Sequence, residues 1–91
     1  MTYIYVYTAD KKKFERIKKS VEVAKTLSET PVFCVNDLEA IEEVNKNGFK
    51  AMNVDALQDL FNVSDGSDVF YVSTPEDVTY LKAAFANIKE I

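Results

Sequence analysis

Val32-Phe33-Cys34-Val35, running at once into Asn36-Asp37-Leu38 and closed by Asn47-Gly48, decides the class of this chain. The four apolar residues show no polar alternation, which predicts a strand covered on both faces. Asn36 is placed to cap a helix, with Glu39 three residues on to complete a capping-box-like pair. Leu38, Ile41 and Val44 recur at helical spacing as its buried stripe. Gly48 supplies the left-handed conformation that a helix C-terminus favours. A fully covered strand that feeds a helix is the repeating unit of a parallel sheet.

The same rhythm extends both ways. Upstream, Tyr3-Ile4-Tyr5-Val6-Tyr7 is β-branched and aromatic throughout and reads as a strand. Asp10 offers the next helix an N-cap, Phe14, Ile17, Val21, Ala24 and Leu27 form its stripe, and Pro31 stops it. Downstream, Phe49 to Asn53 is a weak third strand, Asp55 to Phe61 a short helix or single turn, and Ser64 to Asp68 a loop. Val69 to Val72 is a fourth strand. Thr74 then caps a closing helix with Pro75 at its first position and Val78, Leu81, Phe85 and Ile88 as its stripe. These elements predict a three-layer α/β/α domain over residues 1–91 with a four-stranded, mainly parallel sheet, a flavodoxin-like or Rossmann-like half. The expected strand order is 2-1-3-4, with the tyrosine strand central. The competing arrangement pairs Leu60–Val63 with Val69–Val72 as a hairpin around Asp65-Gly66, in a thioredoxin-like mixed sheet.

Composition narrows the function. At 91 residues, with a net stability of roughly 5–13 kcal/mol, the core needs most of the apolar side chains. The chain has no His and one Cys, so zinc binding and His-based catalysis have few ligands or bases to draw on. Cys34 lies inside an apolar strand and reads as a small buried hydrophobe. A lone cysteine fits a reducing compartment, and neither a secretory leader nor a membrane span is legible, so a cytoplasmic location is expected. Neither glycine falls in a strand-to-helix turn, which argues against a nucleotide phosphate cradle. Tyr3, Tyr5 and Tyr7 share one strand face, where the rings are expected to pack beneath helices and not to stack on bases. The net charge of −4 also speaks against extended nucleic acid.

Charge placement is the one local anomaly. Residues 11–29 carry seven basic and three acidic side chains, whereas residues 30–91 carry four basic and eleven acidic ones. Lys11, Lys12 and Lys13 fall where the first helical turn is expected, whose dipole prefers acids, at a cost of a few tenths of a kcal/mol each. A local rule broken without visible compensation marks a candidate contact site. Lys11, Lys12, Lys13, Arg16 and Asp10 are therefore the candidate partner- or ligand-binding residues. No catalytic residue, metal site or cofactor is assigned. The expectation is a small non-enzymatic regulator or adaptor that binds another protein, of the kind phages and mobile elements encode. The alternative is an anion-binding domain that holds a phosphorylated ligand or nucleic-acid end at the first strand-to-helix turn. A third, enzymatic reading would place Mg²⁺ among Asp10, Asp37 and Asp55, and needs those carboxylates to converge.

Overall fold

The computed structural model describes residues 1–55, 59–64 and 68–91. Strands β1 (Thr2–Tyr5), β2 (Val32–Val35), β3 (Lys50–Asn53), β4 (Val69–Val72) and β5 (Asn87–Glu90) form one sheet in the order β3-β2-β1-β4-β5. Every pairing is parallel, with Tyr3 opposite Val32 on one side and Phe70 on the other. Helices α1 (Lys13–Ala24), α2 (Leu38–Lys46) and α4 (Pro75–Lys82) connect the strands, with a single helical turn α3 at Leu60–Val63.

Side-chain alternation along the strands divides the apolar residues into two cores. Ile4, Val6, Phe33 and Val35 pack with Ile17, Val21, Ala24, Ala40 and Val44 of α1 and α2. Tyr3, Cys34, Phe70 and Val72 pack with Leu60 of α3, with Val78 and Leu81 of α4, and with Phe85. Helices thus cover both faces of the sheet. The division follows from topology: the chain steps outward from β1 to β2 to β3, then returns across β1 to β4 and β5. Crossovers of one hand that progress in opposite directions must lie on opposite faces.

Several expectations are corrected. The sheet has five strands, not four, and its order places β3 outside β2, so the 2-1-3-4 order does not hold, although β1 is central. The fifth strand uses residues expected at the end of the last helix. That helix ends at Lys82, and Ile88 turns into the sheet, packed against the core on the α4 side. The hairpin alternative also fails, because Leu60–Val63 is helical and β4 has parallel neighbours on both sides. The expected turn at 65–67 lies outside the described residues. Finally, α1 ends at Ala24, well before Pro31. Thr26 N–H donates to Val23 O and Leu27 N–H to Ala24 O, tightening the last turn into 3₁₀ geometry.

Of the local readings at helix ends, those at Gly48 and Pro75 agree with the structure and that at Asn36 does not. Gly48 has φ +88°, and the N–H groups of Gly48 and Phe49 donate to the carbonyls of Asn45 and Val44, which closes α2 in a Schellman motif. Thr74 is extended at the start of α4 with Pro75 behind it. Asn36 is not the cap of α2. Asp37 takes that place, its carboxylate accepting from Ala40 N–H at 3.2 Å, while Asn36 Nδ2 donates to Asp55 O at 3.0 Å.

Candidate functional site

The lysine run lies at the carboxyl end of the sheet, where β1 passes into α1. Helix α1 begins at Lys13, so Lys11 and Lys12 occupy the preceding turn and not the first helical turn. Asp10 organises that turn: its carboxylate accepts from Lys12 N–H at 3.0 Å and from the Arg16 guanidinium. Arg16 also lies over the Tyr7 ring, 5.5 Å from its centroid. The hydrogen bond from Arg16 holds the Asp10 carboxyl below its ordinary range.

Lys13 is engaged as well. Its Nζ lies 2.8 Å from Asp37 Oδ2 and 3.4 Å from Glu39 Oε1, both at the start of α2. The Asp37 carboxyl is lowered chiefly by that Lys13 bond, and Lys13 is raised in return. The compensation that the sequence did not show therefore comes from the neighbouring helix. Of the five candidate residues, the structure ties Asp10 to Arg16 and Lys13 to α2, and leaves Lys11 and Lys12 exposed.

Two apolar side chains expected in buried stripes are instead exposed at this corner. Leu38 is 71% exposed and Phe14 44%. Lys13 joins them: its ammonium lies 5.3 Å from the Phe14 ring centroid and bonds the residues on either side of Leu38. Helical periodicity could not separate these two from the core, because both stand in the first turn of their helices, beyond the edge of the sheet. The remaining stripe residues Ile17, Val21 and Val44 are buried as expected.

On the other face, a crevice opens between the ends of β1 and β4. These strands are neighbours, yet the chain leaves them toward opposite faces, and such a divergence is where doubly wound sheets leave room for ligands. Beside it, at the carboxyl ends of β1, β2 and β3 against the start of α4, a cavity of about 280 Å³ is lined by Tyr5, Tyr7, Asn36, Asp55 and Asp77, with Val6, Thr8, Ala9 and Val54. Burial pushes the Tyr5 hydroxyl up to about 12. Burial also raises the Asp77 carboxyl, and Glu76 adds repulsion. The nearby Thr74 hydroxyl partly offsets this without forming a well-aligned hydrogen bond, for Thr74 Oγ1, Ser73 Oγ and Asp77 Oδ2 are buried without partners among the described residues. Sequence reasoning missed Asp77 as a site residue, since a helix's first turn is an ordinary place for an acid.

The other candidates are settled by burial and pairing. Tyr3 is buried and stacked on Phe70 with ring centroids 5.1 Å apart, so it belongs to the core. Cys34 is fully buried, and desolvation pushes its thiol up to about 12, far from a reactive thiolate. Asp10, Asp37 and Asp55 do not gather, and among the described residues no three carboxylate or thiol groups are placed to hold a metal ion. No helix among the described residues is long and apolar enough to cross a membrane. Comparison of the chain with protein-family models, with curated proteins and with solved structures found no match.

Proposed function

We propose that this protein is a small non-enzymatic regulator or adaptor that binds another protein at the Phe14–Leu38 corner. The observation that carries the reading is the exposure of Phe14 and Leu38 in the first turns of two helices that Lys13 ties together through Asp37 and Glu39. Exposed apolar side chains held on rigid elements lose little entropy on docking, which is how small surfaces reach useful affinity. Lys11 and Lys12 flank the corner and favour a partner segment that combines apolar and acidic residues. The buried, protonated Cys34 supplies no thiolate nucleophile, and the sequence has no histidine to serve as a general base.

The anion-binding alternative at the same turn is weaker on physical grounds. The Asp10 carboxylate already accepts the Lys12 N–H and the Arg16 guanidinium, where an incoming anion would need both. Lys13 is taken by two further carboxylates.

The test is a parallel capture with tagged wild type, the double variant Phe14→Ser/Leu38→Ser, and Tyr80→Ser as a control at another exposed ring. A partner retained by wild type and Y80S and lost from the double variant is the expected outcome. The same proteins retained by all three would overturn the assignment of this corner.

A further inference from the structure

We propose that the cavity at the carboxyl ends of β1, β2 and β3 on the α4 face binds a small primary ammonium ion, held by Asp55 and Asp77 against the rings of Tyr5 and Tyr7. The site is independent of the docking corner, because Tyr5 and Asp77 belong to the α4 face and Phe14 and Leu38 to helices on the opposite face.

The sign of the ligand follows from the lining. Asp55 and Asp77 contribute two carboxylates, and among the described residues no lysine or arginine lines the cavity. The adjoining cleft adds Glu76 and holds Arg16, but that guanidinium is committed to Asp10. Asp77 Oδ2 is buried with no hydrogen-bond partner among the described residues, and burial disfavours the ionised form of its carboxyl. A cation placed in the cavity would relieve that cost. An anion would add to it, and the turn has no glycine to bring backbone N–H groups close.

The choice among cations follows from the other walls. Magnesium and calcium ask for six or more oxygen ligands. Among the described residues no three acidic or thiol groups are placed together to share one, whereas aromatic faces attract organic cations. Carboxylate oxygens favour an ammonium with N–H donors over a quaternary one. The volume of about 280 Å³ lies just under the ~300–1,000 Å³ of drug-sized pockets, so the ligand has only a few heavy atoms.

The experiment is a titration of the folded protein with n-butylammonium chloride, followed by amide and tyrosine ring resonances, with sodium butyrate at matched ionic strength as comparator. Saturable shifts are expected at Tyr5, Tyr7 and Asn36 with butylammonium and not with butyrate. Asp77→Asn and Asp55→Asn should each weaken binding tenfold or more with the amide spectrum otherwise preserved, while Phe14→Ser/Leu38→Ser leaves it unchanged. Shifts that are unsaturable and spread over the surface acids, equal with butyrate, or unaltered in both Asp variants would overturn the proposal.

Discussion

Replacing Lys13 with Met would remove an ammonium that two carboxylates of α2 share, while the same change at Lys11 or Lys12 would remove an exposed charge. The expected outcome is a lower urea midpoint for K13M and midpoints at or near wild type for K11M and K12M. The pH dependence carries a sign. The Asp37 carboxyl is held below its ordinary value of 3.8, so its stabilising contribution is present above that value and lost as pH falls through the folded one. The K13M deficit should therefore be full at neutral pH and vanish in strong acid. Asp77 has the opposite sign. Burial raises its carboxyl, so stability is favoured below 3.8 and declines as pH rises through the raised value. Asp77→Asn should consequently be as stable as wild type or more so at neutral pH, with the advantage disappearing in acid. Urea titrations of the two variants at both pH extremes check both signs.

At the scale of elements, β5 is the sharpest case. Its neighbour β4 offers Val72 O to Ile91 N–H at 3.0 Å, and the alternation of a parallel ladder places Lys89 N–H toward β4 and Glu90 N–H outward. Lys89→Pro should then strand the Phe70 carbonyl at a cost of about 1–3 kcal/mol, whereas Glu90→Pro should cost much less. Amide exchange on wild type should show the same asymmetry, slow at Lys89 and fast at Glu90. This strand was hidden in the sequence because an edge strand needs little apolar content. Asn87-Ile88-Lys89-Glu90 has one apolar side chain, and Ile88 falls in step with Val78, Leu81 and Phe85 of the preceding helix. The central strands were legible because they are covered on both faces and therefore apolar throughout, as Val32–Val35 shows. Helix ends followed local chemistry at Gly48 and Pro75, and departed from expectation at α2, where Asp37 is the cap and Asn36 bonds Asp55 instead, and at α1, which tightens into 3₁₀ geometry after Ala24.

At the scale of the whole molecule, the basic and acidic stretches of the sequence lie side by side, joined through Lys13. The basic helix α1 packs beside α2, whose cap and body carry Asp37, Glu39, Glu42 and Glu43 against Lys46. The division between residues 11–29 and 30–91 is thus not a division of the surface into two poles. Of the candidate residues chosen by charge, Lys13 and Arg16 also make ion pairs within the fold, and the side chains proposed for docking beside them, Phe14 and Leu38, carry no charge. Neither was visible as a site, since exposure of an apolar residue depends on where its helix begins relative to the sheet edge. The most direct measurement is amide hydrogen exchange on the protein alone and in complex with the partner recovered by wild type. The account predicts added protection confined to residues 11–16 and 37–40, with the α4 face unchanged. Protection on the α4 face or along β5, with that corner exchanging as in the free protein, would contradict it.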